Sequence, residues 1–227
     1  TPPESSAASD VYKRQPGNLD VKVTYTLNNK DELSVLYEAE TDRKTIINLT
    51  QHSYFNLSGD FSEDVLDHQI KINADAFLPV DETLIPTGEI RSVLGSPFDF
   101  RKSKLIGQDI DVNNKQIEFG KGYDHCWVIN NQSNGLRSVA TAYHSESGRV
   151  LDVYSDLPGL QFYSGNFLDG TLKSKGGGYY ELRSGFCLET QYYPDSPNQE
   201  NFPSVVLKPG DIYLSLIHIS EPTRLRR

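Results

Sequence analysis

Glu189 and His52 are the two residues of this sequence whose surroundings best suit acid–base chemistry. Glu189 lies in the apolar run of residues 185–191. The period-two alternation of a β-strand there directs Phe186 and Leu188 to one side and Glu189 to the other. Removing a carboxylate from water is costly, so a carboxylate in such a run requires a partner or a function. A structural ion pair is the alternative to a catalytic role.

A second stretch, residues 48–57, is predicted to form a strand with a polar face. Its even positions carry amide, hydroxyl, imidazole and phenol groups: Asn48, Thr50, His52, Tyr54 and Asn56. Such a face is a poor core surface and a good sugar-binding one. If Glu189 opposes His52 across it, the two side chains form an acid–base pair.

The spacing of the remaining elements indicates an all-β protein. Short alternating segments recur along the chain, and no sustained apolar period of 3.6 residues is present, a pattern typical of a sandwich or barrel. Residues 21–40 and residues 126–144 each have the pattern of a β-hairpin, and residues 149–154 follow the turn at Ser147 and Gly148. Helix is predicted only as a possible single turn over residues 109–115.

Five separated motifs carry a resemblance to a known family. In chain order they are NLTQHSYFNL (48–57), LPVDETLIPTGE (78–89), GYDH (122–125), PGLQFYSGNFLDG (158–170) and GFCLETQ (185–191). Over about residues 17 to 213 the sequence resembles the aldose 1-epimerase, or galactose mutarotase, family. The resemblance implies a large two-sheet β-sandwich of the galactose mutarotase type.

The resemblance also implies an isomerase of carbohydrate metabolism that interconverts the α and β anomers of a hexose such as galactose or glucose, with no cofactor. The ring opens when a base takes the proton of the C1 hydroxyl and an acid protonates the ring oxygen, and it closes on the other face. In this family pattern Glu189 is the base and His52 the acid.

Four further residues are expected to bind the sugar. Asp124 matches a family position that accepts hydrogen bonds from sugar hydroxyls; a turn aspartate that caps backbone amides is the alternative. Gln161 matches another hydroxyl-binding position, with a core-edge glutamine as the alternative. Ser53 and Tyr54 are expected to flank the sugar, although alternation places Ser53 on the opposite face unless the strand bulges.

Two other functions remain open at this stage. One is a non-catalytic carbohydrate-binding module of the same fold, which would keep Asp124 and Gln161 but has no use for the pair of Glu189 and His52. The other is a hexose-6-phosphate 1-epimerase, which requires Lys or Arg side chains near the site. The sequence does not decide whether such a cluster exists.

Composition limits the possible partners and the compartment. The 227 residues have a net charge of −9, 37% hydrophobic residues, 13 Tyr and 10 Phe, which predicts a globular, aromatic-rich protein. No basic run in the body indicates a nucleic-acid or membrane partner, and no apolar stretch approaches the roughly 20 residues of a membrane span. Cys126 and Cys187 do not suggest a disulfide framework, so a reducing compartment, taken as the cytoplasm, is predicted.

The adjacent pairs Asp67–His68 and Asp124–His125 could be mistaken for metal half-sites. Neither has a third ligand at a supporting sequence spacing, so these histidines are interpreted as structural or solvated and no metal site is expected.

Both ends of the chain differ from its body. Residues 10–15 and 216–224 resemble translated sequencing-adapter peptides, so 1–15 and 214–227 are interpreted as non-native tails. Residues 16–213 are predicted to be the C-terminal portion of one mutarotase-like sandwich, incomplete at its N-terminal side. The family's chains carry another active-site His and an Arg in that part. We therefore expect this chain alone to aggregate or to remain loosely folded, and not to turn over sugar.

Overall fold

The computed structural model describes residues 15–132 and 135–220, together with the backbone of a two-residue strand near the N-terminus. Within these ranges the regular secondary structure consists almost entirely of antiparallel strands. The strands are β1 (Ser5–Ser6), β2 (Leu19–Leu27), β3 (Glu32–Thr41), β4 (Thr45–Ile46), β5 (Gln69–Ile72), β6 (Ala74–Leu78), β7 (Arg91–Ser92), β8 (Lys104–Leu105), β9 (Asp124–Ile129), β10 (Arg137–Tyr143), β11 (Val150–Ser155), β12 (Gly159–Tyr163), β13 (Cys187–Gln191), β14 (Val206–Leu207) and β15 (Tyr213–Ser220). The predicted all-β architecture is confirmed.

Two sheets make up most of the fold. The larger has eight strands in the order β1-β2-β3-β15-β11-β10-β5-β8, and the smaller has five in the order β13-β12-β9-β6-β7. A separate two-stranded ribbon pairs β14 with β4. The hairpin predicted over residues 21–40 is present as β2 and β3, which pair from Leu19 with Thr41 to Leu27 with Leu33.

The hairpin predicted over residues 126–144 is wrong. Strand β9 lies in the five-stranded sheet and β10 in the eight-stranded sheet, so the polar turn between them carries the chain from one sheet to the other. The Arg137 guanidinium anchors this crossing by donating hydrogen bonds to the carbonyl oxygens of Asn130, Ser155 and Leu157. The turn residues predict a change of direction, but they do not determine which sheet receives the next strand.

The C-terminal segment also differs from expectation, because residues 214–220 belong to the fold. Strand β15 lies between β3 and β11 and pairs with both. Its alternate side chains are buried in the core: Tyr213, Ser215, Ile217 and Ile219. This period-two alternation is what a central strand requires, so the predicted end of the domain at residue 213 does not match the structure. In the predicted N-terminal tail, Ser5 and Ser6 pair with β2 and the Gln15 amide donates a hydrogen bond to the Ile46 carbonyl oxygen. Residues 1–4, 7–14 and 221–227, where the rest of the predicted tails falls, lie outside the described residues.

Helical structure is brief in the described part of the chain. The helix α1 (Lys115–Gly120) begins where the predicted turn ends, and the Asn114 side chain caps it by accepting a hydrogen bond from the Gln116 backbone amide at 3.0 Å. Two 3₁₀ turns span Ile106–Gln108 and Ser196–Asn198. No helix among the described residues is long and apolar enough to cross a membrane.

The inner face of the five-stranded sheet packs on a cluster of aromatic rings. Phe77 and Phe98 stack at 4.2 Å between ring centroids, and the Trp127 indole N–H donates to the Phe98 carbonyl oxygen at 3.0 Å. Trp127 and Phe162 are completely buried on β9 and β12. Because alternate residues of a strand point to opposite faces, this aromatic packing fixes the outward side chains of the same strands.

Candidate active site

Three neighbouring strands of the five-stranded sheet form the floor of the candidate site. Strand β12 pairs with β13 on one side and with β9 on the other, and residues directly opposite one another share a face. The outward face therefore carries three rows of side chains: Asp124, Tyr163 and Cys187; Cys126, Gln161 and Glu189; Val128, Gly159 and Gln191. The register of the sheet brings together, within each row, residues that are 63 positions apart in sequence.

Glu189 lies in the middle row and is only 7% exposed. Burial raises the pKa of its carboxyl from 4.5 to about 7, and the nearby charge of Asp124 adds to the effect. Leu188 on β13 and Phe186 just before the strand, which alternation directs to the opposite side from Glu189, are fully buried in the core. A carboxyl group with a pKa near neutrality can exchange a proton readily at physiological pH.

His52 faces Glu189, as the sequence predicts. Its Nε2 atom lies 3.5 Å from Glu189 Oε1, and its side chain is 52% exposed towards the solvent side of the site. The imidazole stacks on the Tyr54 ring at 5.2 Å between centroids. Its other nitrogen, Nδ1, lies 3.4 Å from Cys187 Sγ. The structure therefore brings a largely buried carboxyl and an accessible imidazole into direct proximity.

The segment that carries His52 is not the predicted strand. Its only ladder contact among the described residues is an isolated antiparallel bridge between Phe55 and Phe186. Side-chain amides replace the missing ladder. The Asn48 amide donates to the Tyr192 carbonyl oxygen and accepts from the Tyr192 backbone N–H. Asn and Gln side chains can imitate a peptide group in this way, which the alternation of polar residues does not reveal.

Gln51 fixes the backbone beside His52. Its Nε2 donates to the Leu188 carbonyl oxygen at 3.1 Å, and its Oε1 accepts from the Ser53 backbone N–H at 2.9 Å. Ser53 itself is exposed, and its side chain does not line the cavity. The structure therefore does not place Ser53 among the residues that face the site, although the sequence predicts that it flanks the sugar.

Asp124 and Gln161 are joined directly. Gln161 Nε2 donates to Asp124 Oδ1 at 2.8 Å. Burial raises the pKa of Asp124, while this hydrogen bond and the neighbouring His52 act in the opposite direction. The other amide atom, Gln161 Oε1, is buried and has no hydrogen-bond partner in the protein. Because a buried acceptor without a partner is unfavourable, a hydroxyl donor on a ligand would satisfy it.

Asp124 is held at the start of β9 by a tight turn. Gly122 has φ +136°, a conformation that disfavours other residues, and a Cβ there would lie 2.4 Å from Asn166 Oδ1. Asn166 donates hydrogen bonds to the carbonyl oxygens of Gly120 and Tyr123. The Gly-Tyr-Asp motif therefore has a structural role in positioning the carboxylate.

These groups line an open cavity of about 420 Å³. Its wall contains His52, Tyr54, Asp124, Gln161, Tyr163, Phe167, Glu189, Gln191 and Pro194. Tyr163 and Phe167 stack at 6.1 Å between centroids, and the Tyr163 hydroxyl accepts a hydrogen bond from the Phe167 backbone N–H. The cavity wall thus combines aromatic rings with carboxyl and amide groups, which suits a polyhydroxylated ring with one apolar face.

Sequence reasoning missed four residues of this wall. Tyr163 and Gln191 lie two positions from Gln161 and Glu189 on the same strands, so alternation could have identified them. Phe167 and Pro194 lie in loops after β12 and β13, and no periodic signal indicates where loop residues point.

The histidine beside Asp124 is structural. His125 lies on the inner face of β9, and burial lowers its pKa to about 3. Its Nδ1 accepts from the Asp124 backbone N–H at 3.2 Å, so Nε2 carries the proton and donates to Gln116 Oε1 at 3.1 Å. These two bonds hold the ring neutral within the core.

His144 lies beside the pair Asp67–His68 and forms a cluster with it, which the sequence spacing did not indicate. His68 Nε2 accepts from the Leu57 backbone N–H, so its Nδ1 donates to Asp67 at 2.9 Å. His144 Nδ1 accepts from the Ser147 backbone N–H, so its Nε2 donates to the other Asp67 oxygen at 3.1 Å. Every ring nitrogen of this cluster therefore has a partner within the fold.

Comparisons with known proteins agree with the sequence motifs and the fold. The aldose 1-epimerase family model matches residues 4–220. Galactose mutarotase from Bos taurus is 51% identical over 212 residues, covering 92% of this chain and 59% of that protein. Aldose 1-epimerase from Escherichia coli (strain K12) is 41% identical over 203 residues, covering 88% of this chain and 58% of that protein.

A solved structure shares the fold. The GalM/aldose epimerase homologue from C. elegans superposes with a TM-score of 0.83 at 31% identity, over 96% of this chain and 64% of that one. The chain therefore spans about three-fifths of the length of the curated relatives it matches. The match to the family model over nearly the whole chain shows that the chain belongs to the aldose 1-epimerase family.

Proposed function

We propose that the protein is an aldose 1-epimerase that interconverts the α and β anomers of an aldohexose, galactose or glucose. The observation that carries this proposal is the approach of His52 Nε2 to Glu189 Oε1, 3.5 Å apart, at an open cavity that also presents Asp124 and Gln161. The C1 hydroxyl and the ring oxygen of a pyranose are bonded to the same carbon. An acid and a base that serve these two oxygens must therefore converge, as these two side chains do.

In the proposed reaction the Glu189 carboxylate takes the proton of the C1 hydroxyl and the His52 imidazolium gives a proton to the ring oxygen. The bond between C1 and the ring oxygen breaks, and C1 becomes an aldehyde. Rotation about the C1–C2 bond presents the other face, and the two residues exchange roles as the ring closes. Atoms and protons balance over the cycle, so no cofactor is needed.

Asp124 and Gln161 hold the sugar in this proposal. The carboxylate of Asp124 accepts from sugar hydroxyls, and Gln161 Oε1, buried without a partner in the protein, accepts from another. The apolar face of the sugar lies against the ring of Tyr163 or Phe167. These contacts keep the ring in place while it opens, which is what prevents the open-chain form from leaving.

The charge of the cavity favours a neutral sugar over a sugar phosphate. The side chains that line it, within the described residues, include two carboxyl groups and no Lys or Arg. A phosphate group would be repelled there, because recognition of phosphate requires cationic side chains or exposed backbone amides. The acid–base pair in turn favours an enzyme over a non-catalytic sugar-binding module, which has no need of it.

We also infer that the protein works in a reducing compartment, the cytoplasm. Cys126 and Cys187 are both buried and unpaired. Free thiols persist more readily where glutathione and thioredoxin keep them reduced.

Polarimetry of freshly dissolved α-galactose tests the proposed activity. The protein should accelerate the approach to the equilibrium rotation, and galactose 6-phosphate should be a poorer substrate. Because the relatives are longer than this chain, the assay should use the longest form of the protein that carries these residues. A parallel assay of the 227-residue chain tests the separate expectation that these residues alone do not turn over sugar. A rate equal to the buffer rate in the longer form would contradict the proposed function.

A further inference from the structure

Cys187 has no part in the proposed reaction, yet it adjoins both residues that do. Its side chain is completely buried in the outward row of β13, two positions from Glu189. Its Sγ atom lies 3.4 Å from His52 Nδ1. Burial and the charges of Glu189 and Asp124 raise the pKa of the thiol, so Cys187 is protonated at neutral pH.

His52, Cys187 and Glu189 together offer three metal-ligating atoms that all lie within 4.8 Å of one another. The three differ in kind, being an imidazole nitrogen, a thiol sulfur and a carboxylate oxygen. Around a tetrahedral Zn²⁺ such atoms are about 3.4–3.6 Å apart, given metal–ligand distances of about 2.0–2.3 Å. The observed contact of 3.4 Å between Cys187 Sγ and His52 Nδ1 already has this spacing. The carboxylate lies within 4.8 Å of the other two ligand atoms, so it must move by up to about 1.4 Å, which a side-chain rotation provides.

We propose that His52, Cys187 and Glu189 form a binding site for a borderline-soft divalent cation of the Zn²⁺ class, in which a bound ion blocks the sugar site. His52 contributes Nδ1, Cys187 its thiolate and Glu189 one carboxylate oxygen. On binding, the S–H proton of Cys187 passes to solvent and the sulfur–metal bond replaces it. The fourth position of the ion faces the cavity, because His52 and Glu189 both line it.

The donor set determines which cations fit. Sulfur and imidazole nitrogen favour Zn²⁺, Co²⁺ and Cd²⁺, whereas Mg²⁺ and Ca²⁺ require oxygen ligands. The negative charges of Glu189 and Asp124 further favour a cation at this position. In the cluster of Asp67, His68 and His144, by contrast, one nitrogen of each ring accepts a hydrogen bond from a backbone N–H, and a metal bound there would take that acceptor away.

Metal binding has a functional consequence that rests on the proposed function. An ion held by His52 and Glu189 removes the acid and the base at once, so it inhibits anomer exchange competitively with sugar. The binding itself does not depend on any activity. It can therefore be tested separately, and failure of the proposed function would leave the metal site intact.

Titration of the protein with Co²⁺ tests the site directly. Cobalt bound to a thiolate has a sulfur-to-metal charge-transfer band in the near ultraviolet, which cobalt bound to nitrogen and oxygen alone does not have. We expect the band to saturate at one equivalent and Zn²⁺ to abolish it by displacement. If the folded wild-type protein shows no such band, the proposal is overturned.

Three variants assign the ligands. Cys187→Ser should abolish the charge-transfer band and weaken Zn²⁺ binding by about 100-fold or more, since even outer-shell partners of a metal are worth about 10–100-fold in affinity. Cys126→Ser removes the other buried thiol, which lies on β9, two strands across the sheet from Cys187, and is not one of the three clustered ligands, so it should leave the band unchanged. His144→Gln removes a residue of the second cluster and should also leave it unchanged. A band that persists in Cys187→Ser, or that disappears in either control, would overturn the assignment.

The inhibition is measured on the same variants. Micromolar Zn²⁺ should slow mutarotation by the wild-type protein and the Cys126→Ser variant, and a chelator should restore the rate. The Cys187→Ser variant should turn over sugar but resist Zn²⁺ at the same concentration. Equal inhibition of the wild-type protein and Cys187→Ser would show that the metal acts elsewhere.

Discussion

The substitution Glu189→Gln should remove most of the activity and at the same time stabilise the protein. The amide preserves the shape of the side chain but cannot accept the sugar proton. Loss of a positioned general base lowers kcat by about 10²–10⁴-fold, equivalent to about 3–5 kcal/mol of transition-state stabilisation. Because burial raises the pKa of Glu189 to about 7, about half of the molecules carry the carboxylate at pH 7.

The expected stability gain of Glu189→Gln also follows from the raised pKa of Glu189. The folded protein binds the Glu189 proton more tightly than the unfolded chain does, with a pKa of about 7 against 4.5. The free energy of unfolding therefore falls as the pH rises from 4.5 to 7, by about 1.36 kcal/mol per pH unit. The total approaches about 3 kcal/mol above pH 7. A neutral glutamine avoids this cost, so the variant should be more stable than the wild type by up to that amount at pH 8.

Two measurements check this prediction. Polarimetry gives the rate of mutarotation, and urea unfolding at pH 5 and pH 8 gives the stability difference, which should be small at pH 5 and large at pH 8. The control is Glu82→Gln, which changes an exposed carboxylate that does not line the cavity and should alter neither quantity. Near-wild-type turnover by Glu189→Gln would refute its role as the base. A variant destabilised equally at both pH values would refute the account of its burial.

Three further predictions concern the surroundings of this residue. His52→Asn should lower kcat by about 10²–10⁴-fold with little change in stability, because the imidazole is half-exposed; a normal rate in polarimetry would exclude it as the acid. Gln161→Leu should raise KM more than it lowers kcat, because it removes a hydroxyl acceptor and frees Asp124 from its 2.8 Å hydrogen bond; an unchanged KM would contradict this. His125, whose pKa is lowered to about 3, should keep its ring NMR signals constant from pH 7 to pH 4. The folded protein binds this proton less readily than the unfolded chain, so it loses stability as the pH falls below about 6.5; a His125 titration near pH 6.5 would refute the burial argument.

Much of the site was predictable because strands impose a strict alternation. The position of Glu189 opposite Phe186 and Leu188 follows from period two, and the same rule places Tyr163 beside Gln161 on β12. Where the backbone is regular, sequence alone determines which side chains share a face.

The sequence was less informative where side chains replace backbone pairing. The segment of His52 has the polar alternation of a strand, but Asn48 and Gln51 bind the neighbouring backbone with their own amides. The exposed position of Ser53 results from this irregular path. Local alternation cannot distinguish a ladder of peptide groups from amide side chains that imitate one.

The sequence was also uninformative about which distant strands pair with one another. Strands β9 and β10 have the local pattern of a hairpin and yet belong to different sheets. In the same way, nothing in the spacing of Asp67 and His68 indicated that His144 would join them. Both outcomes depend on which distant strands pair, and that choice is made by the packing of the whole core rather than by any local segment.

Exchange NMR of equilibrated galactose tests the central claim most directly. The anomeric protons of the α and β forms have separate signals, and exchange cross-peaks between them report the interconversion itself without any change in concentration. We predict strong cross-peaks with the wild-type protein, and cross-peaks no stronger than in buffer with Glu189→Gln or His52→Asn. Absence of catalysed exchange in the wild-type protein, or undiminished exchange in both variants, would contradict the assignment of Glu189 and His52 as the base and acid of an aldose 1-epimerase.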